Sequence, residues 1–174
     1  MSQKNNLELA IDAIRNGEVV GIPTETVYGI GVDPYSQTAV DKIFSLKKRS
    51  EKKPLSILIS SFHEIQELNV TTSIPDVVEL YWPGPLTIIV ETSNDFANGV
   101  GTKEPSSIGV RVPENELAIN LLKQTGPLAV TSANISGKED FTSDEQVRAA
   151  FGDEISHYLS GESLHGNGST VVDL

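Results

Sequence analysis

With 174 residues, 38% of them hydrophobic and 21% charged, the chain has the size and composition of one soluble domain able to build its own core. It contains no cysteine, which excludes a disulfide framework, a thiolate nucleophile and a zinc knuckle. A formal net charge of -11 argues against a general nucleic-acid-binding surface, whose affinity rests on Lys and Arg neutralising phosphates.

The first residues, Met1 to Asn6, are polar and lack the apolar centre of a signal peptide. No run approaches the roughly 20 apolar residues of a membrane helix, so the cytoplasm is the expected location and no membrane is an expected partner. Leu7, Ala10, Ile11 and Ile14 repeat at helical spacing, and Gly17 supplies a C-terminal stop. Residues 19–22 read as a buried strand that runs into the polar turn Pro23 to Gly29. Ala39, Val40, Ile43 and Phe44 mark a second amphipathic helix, ending in Lys47, Lys48 and Arg49. Residues 55–59 are strand-like, and Ser61 with Glu64 has the form of a capping box opening a short helix. Pro75 opens another helix, which Trp82, Pro83, Gly84 and Pro85 break before a strand over 86–90.

Residues 91–107 read as a long polar loop. A strand over 108–112 follows, closed by Pro113, then a helix through Leu117 to Leu122 that ends at Gly126. Residues 128–130 are a strand leading into Thr131, Ser132, Ala133 and Asn134. Ser143 begins a further helix, and 155–159 and 170–174 are the last strand candidates. The alternation predicts one α/β domain over residues 1–174, with a twisted, mixed, partly parallel sheet flanked by helices.

Six of the 13 Lys and Arg residues (Lys42, Lys47, Lys48, Arg49, Lys52 and Lys53) fall within 12 positions. Such a cluster is either a solvated turn or the wall of a concave basic pocket for a phosphate-bearing ligand. Cations at the end of a helix also complement its dipole. Two strand ends carry clustered hydrogen-bonding groups, mostly uncharged hydroxyls and an amide: Thr24, Glu25 and Thr26 after the first strand, Thr131, Ser132 and Asn134 after the fifth. Ligands of α/β sheets lie at such carboxyl ends, although Ser, Thr and Asn also serve there as turn and cap residues. Arg111 stands in an otherwise apolar strand. It either faces solvent or pairs with something, and a bidentate carboxylate contact is the sharper expectation. The three histidines are scattered, so no metal ligands are expected. Neither a phosphate-binding glycine motif nor a nucleophile elbow is present.

Six stretches, in order over residues 23–173, carry a resemblance. They are Pro23 to Gly29, Lys47 to Arg49 with Lys53 to Leu55, Trp82 to Thr87, Gly109 to Pro113, Pro127 to Gly137, and Ser169 to Asp173. Together the sequence resembles the YrdC/TsaC family of threonylcarbamoyl-adenylate synthases. The resemblance implies the YrdC-like fold and a nucleotidyltransferase. Its substrates would be L-threonine, bicarbonate and ATP, with Mg²⁺ on the phosphates, for threonylcarbamoyl-adenosine modification of tRNA. It implies a catalytic tetrad of Lys47, Arg49, Ser132 and Asn134, with Lys47, Arg49 and Ser132 on the nucleotide. It further implies substrate binding by Thr24, Arg111, Thr131 and Ser169. Candidate partners are tRNA and the other proteins of the threonylcarbamoylation pathway.

Two departures from the family pattern are Lys48 and Ser50 on either side of Arg49, and the apparent lack of a C-terminal strand beyond Leu174. Loop 47–54 is the expected lid. Lys47 and Arg49 are expected to be at least partly exposed, so that alanine at either would abolish adenylate formation with little loss of fold. The alternatives are a double-stranded-RNA-binding or ribosome-maturation module on the same fold, and a paralogue with a different carbamoyl-type reaction.

Overall fold

A computed structural model of the chain describes residues 3–48, 50 and 53–174; Arg49, Glu51 and Lys52 lie outside the described residues. The elements run α1 (Gln3–Arg15), β1 (Val20–Ile22), β2 (Gly29–Val32), α2 (Gln37–Lys47), β3 (Ser56–Leu58), β4 (Leu86–Glu91), β5 (Thr102–Lys103), β6 (Ser106–Arg111), α3 (Glu116–Thr125), β7 (Leu128–Ser132), α4 (Asp144–Phe151), β8 (His157–Tyr158) and β9 (Thr170–Asp173). The strands form one mixed sheet in the order β8-β1-β2-β7-β3-β6-β4-β9, with β5 paired to β6. β8, β6 and β9 lie parallel to β1, β3 and β4 respectively, and the remaining pairs are antiparallel. The expected α/β class and mixed, partly parallel sheet are therefore present.

Side chains alternate across the sheet, which divides the core in two. Val20 and Ile22 of β1 and Leu128 and Val130 of β7 pack with Ala10 and Ile14 of α1 and with Ala118, Leu121 and Leu122 of α3. Val19, Ile30, Val32 and Ala129 point the other way, toward Ala39, Val40 and Ile43 of α2 and Val147 and Phe151 of α4. The helices begin where the sequence supplies caps. Ser36, Asn115 and Ser143 each accept a backbone N–H at the head of α2, α3 and α4.

Three local expectations change. Gly29, read as the end of a turn, and residues 30–32, to which no element was assigned, form the central strand β2, held between β1 and β7. Gly29 and Gly31 lower the strand signal, but both positions need a small residue. A Cβ on Gly31 would stand 2.7 Å from Ile22 Cδ1. The loop predicted over 91–107 contains β5 and the start of β6, a hairpin joined by the Thr102 and Ser107 hydroxyls at 2.9 Å. The helices at Phe62–Leu68 and Asp76–Tyr81 are 3₁₀, and Glu64 reaches back to Ser60 N at 2.8 Å rather than closing a box with Ser61.

Helix α2 ends at Lys48 in the left-handed conformation, φ 48° and ψ 42°, which is strained for a residue with a Cβ. Lys48→Gly is expected to raise stability by about 0.5–1 kcal/mol, the relief of left-handed strain less the extra freedom of glycine in the unfolded chain. A urea-denaturation midpoint below that of the unchanged protein would contradict this.

Candidate functional site

Helices α1 and α3 cover only part of their sheet face. Beyond them the same face carries Ser56, Thr87 and Gly109 where the covered part carries Val, Ile and Leu. Small residues there leave a cavity of about 380 Å³, a size ordinary for small-molecule sites. Its polar wall is largely uncharged: Thr24 and Thr26 from the β1–β2 turn, Thr131 and Ser132 from the end of β7, and Ser56 and Thr87 from the floor. Val27, Leu58 and Val130 form an apolar side, and Ser169 and Val171 close the far end. Gly29 lets β2 approach, since a Cβ there would lie 3.2 Å from the Thr131 carbonyl oxygen.

Arg111 lines this cavity and is held from three directions. Its Nε donates to Gly84 O at 3.1 Å, its Nη1 donates to Thr26 Oγ1 at 2.9 Å, and its Nη2 lies 2.6 Å from Glu25 Oε1. The Arg111–Glu25 ion pair is buried, with side-chain exposures of 8% and 3%. Nη2 and Oε1 meet without a directed hydrogen bond. The other Glu25 oxygen accepts from Glu114 N at 3.0 Å. The Thr24 hydroxyl donates to Val27 O at 2.7 Å and lies 2.9 Å from Thr26 Oγ1, so one network shapes the turn and aims the guanidinium. Of the two readings of Arg111, pairing holds, and the carboxylate it meets is an internal one. Of the five guanidinium N–H donors, one on Nε and one on Nη1 make directed hydrogen bonds and Nη2 is buried against Glu25, which leaves the second Nη1 N–H for a ligand.

Lys47 differs from expectation. It is fully buried, at 0% exposure, and does not line the cavity. Its Nζ donates to the carbonyl oxygens of Ser132 and Asn134, and to Asn134 Oδ1 at 2.9 Å. Asn134 Oδ1 also accepts from Ser132 Oγ at 2.7 Å, and Asn134 Nδ2 donates to Lys138 O at 2.6 Å. Ser136 N donates to the Lys47 carbonyl at 3.1 Å. The last turn of α2 is thereby latched to the loop after β7. Ser132 lines the cavity, whereas Lys47 and Asn134 stand behind it and set its position. The expectation that Lys47 is partly exposed is corrected: its charged end turns inward, where the loop offers the Ser132 and Asn134 carbonyl oxygens and the Asn134 side-chain oxygen as buried acceptors.

Arg49 is outside the described residues. Among the described members of the basic cluster, Lys42 turns away to Glu18 at 2.8 Å, and Pro54 of the expected lid lines the cavity. Burial pushes the Tyr28 hydroxyl well above the usual tyrosine range. It donates to Leu159 O at 2.7 Å and is a core group despite its place in the polar turn.

Thr24, Arg111, Thr131, Ser132 and Ser169 thus meet in one cavity, with Lys47 and Asn134 immediately behind. Ser169 Oγ lies 2.7 Å from Thr87 Oγ1, which ties the start of β9 to the floor. Sequence reasoning did not single out Ser56, Thr87 or Asp140, nor Glu25 as the partner of Arg111. The only signal for Glu25 was an acidic residue between two threonines. Ser56 and Thr87 carried the weaker mark of hydroxyls interrupting apolar strands.

Residues 12–174 match the Sua5/YciO/YrdC family, which carries the description Telomere recombination. The chain belongs to the Sua5/YciO/YrdC family. A threonylcarbamoyl-AMP synthase of Pyrococcus abyssi is 38% identical over 174 residues, covering 97% of this chain and 50% of that protein. One of Vibrio parahaemolyticus is 35% identical over 164 residues, covering 91% of this chain and 88% of that protein. Among solved structures, Pyrococcus abyssi Sua5 complexed with L-threonine superposes with a TM-score of 0.88 at 34% identity, over all of this chain and 52% of that one. Escherichia coli YciO shares the fold, with a TM-score of 0.83 at 22% identity over 99% of this chain and 85% of that one. The chain spans about half the length of the Pyrococcus relative. Within this Sua5/YciO/YrdC fold the cavity lies on the open part of the α1/α3 sheet face. Among the described residues no helix is long and apolar enough to cross a membrane.

Proposed function

We propose that the chain is a threonylcarbamoyl-AMP synthase, converting L-threonine, bicarbonate and ATP into threonylcarbamoyl-AMP, pyrophosphate and water. The observation that carries this reading is the convergence of Thr24, Arg111, Thr131, Ser132 and Ser169 on one cavity, in a chain related to proteins of that name. The reaction needs no protein nucleophile. The threonine amine joins the bicarbonate carbon with loss of water, and a carbamate oxygen then attacks the α-phosphorus while pyrophosphate leaves. The subclass is therefore a nucleotidyl transfer. Catalysis consists of holding the reactants in line and stabilising anionic oxygens.

In this scheme Arg111 holds a carboxylate, and the Thr24, Thr131 and Ser169 hydroxyls orient the substrate. Ser132, fixed by Asn134 and Lys47, presents its hydroxyl to the nucleotide. Arg49 is assigned to the phosphates by resemblance alone. Mg²⁺ enters with ATP as part of the substrate, bound by phosphates and water more than by protein. The product would be passed to tRNA with the help of other proteins of that pathway. An RNA-binding module is not favoured, because the described wall offers a single cation, Arg111, and that cation is already paired with Glu25.

Pyrophosphate release from MgATP and bicarbonate is expected to depend on L-threonine, with threonylcarbamoyl-AMP detectable by mass spectrometry. Release that is indifferent to threonine, or absent, would sink the reading.

A further inference from the structure

The cavity wall contains two charged residues among those described, Arg111 and Asp140. Arg111 is neutralised from behind by Glu25, whereas Asp140 makes no ion pair among the described residues. A carboxylate is out of place in a pocket built only for phosphates and carbamate, since it repels both. It suits a ligand that brings its own cation.

Asp140 is also held in place. Two residues before it, Lys138 O accepts from Asn134 Nδ2 at 2.6 Å; one residue after it, Phe141 O accepts from Tyr28 N at 2.8 Å. Phe141 packs on the core, and Thr142 O accepts from Ser163 N at 2.6 Å. The exposed loop is thus fastened on both sides of the carboxylate.

We infer that Asp140 is a substrate-specificity residue that accepts the α-ammonium group of the amino acid. This rests on the synthase reading and adds to it the recognition of a zwitterion. Arg111 takes the α-carboxylate, Asp140 takes the ammonium, Val27 and Val130 offer apolar contact for a side-chain methyl, and the threonine hydroxyls of the wall meet a side-chain hydroxyl. The lining then matches each group of a small hydroxylated amino acid. The ammonium sheds its proton before the nitrogen attacks carbon, so Asp140 acts in binding and selection rather than in the bond-forming step.

The test compares L-threonine with (2S,3R)-2,3-dihydroxybutyrate, which replaces the amine by a hydroxyl and changes nothing else. Calorimetry on the whole protein is expected to show a preference for threonine of about tenfold or more, the worth of one charge-assisted contact. Asp140→Asn is expected to lose that preference while leaving the KM for MgATP unchanged, with melting behaviour like that of the unchanged protein because residue 140 is exposed. An Asp140→Asn protein that keeps the preference, or one that shifts only the ATP parameter, overturns the assignment. If the unchanged protein still releases pyrophosphate with threonine in that case, the Asp140 inference alone falls. A protein that shows neither threonine binding nor threonine-dependent release overturns both.

Discussion

Lys47→Met is expected to cost both fold stability and turnover. Methionine fills much of the same volume but leaves Ser132 O, Asn134 O and Asn134 Oδ1 without the buried ammonium. Asn134 Oδ1 keeps its bond from Ser132 Oγ, but the two carbonyl oxygens are left unmet at about 1–3 kcal/mol each, a loss of roughly 3 kcal/mol. In a domain of this size that is a fall of about 10 °C in melting temperature. Turnover falls with it because Ser132 Oγ is oriented through the same Asn134 oxygen. Ser132→Ala gives the contrast. It removes one partly exposed hydroxyl, so turnover should drop while the melting temperature moves by no more than a few degrees. Calorimetric melting of the two variants beside their pyrophosphate release separates the roles. A Lys47→Met protein that melts like the unchanged one would show that the latch does not hold the loop.

Glu25→Ala is expected to destabilise the fold by about 3–5 kcal/mol, the range for removing one member of a buried ion pair. The stranded Arg111 guanidinium is one part of the loss, and the orphaned Glu114 N–H is another. Converting both members together, Glu25→Gln with Arg111→Met, should cost less than the sum of the two single changes, because neither charge is then left alone. Equilibrium denaturation of the three proteins closes the cycle; additive losses would contradict the pairing. The pair also bears on function. Glu25 Oε1 fixes one corner of the guanidinium that faces the cavity, so Glu25→Gln should raise the KM for threonine more than it lowers kcat. A change in kcat alone would place Glu25 outside substrate binding.

Much of the architecture could be read from local pattern. The helices were visible because Ala10 and Ile14, or Ala39, Val40 and Ile43, recur at the period that buries one helical face. Most strands were visible as short apolar runs ending at Gly, Pro or polar turns. The two polar strand ends marked as candidate places for chemistry both line the cavity, and hydroxyls collected after a buried strand have few other uses than caps, turns and ligands. β2 was not visible, because its glycines serve close packing against β1 and β7, which is a property of the neighbours and not of residues 29–32. Sheet order was equally hidden, because β7 lies between β2 and β3, far from either in the chain.

Composition and motif by themselves determined an α/β domain, the residues of the polar loops and the expectation of an anion-handling site centred on the 47–53 cations. Only the tertiary structure decided what the charges among the described residues do. Lys47 meets Asn134 across 87 residues, and Arg111 meets Thr26 across 85. The same packing turned Lys47 into an inward latch, gave Arg111 an internal counter-ion and brought Asp140 to the wall. The physical reason is that burial patterns are written in neighbouring residues, whereas a charge takes its role from whatever partner the fold places beside it. Local sequence holds no record of that partner.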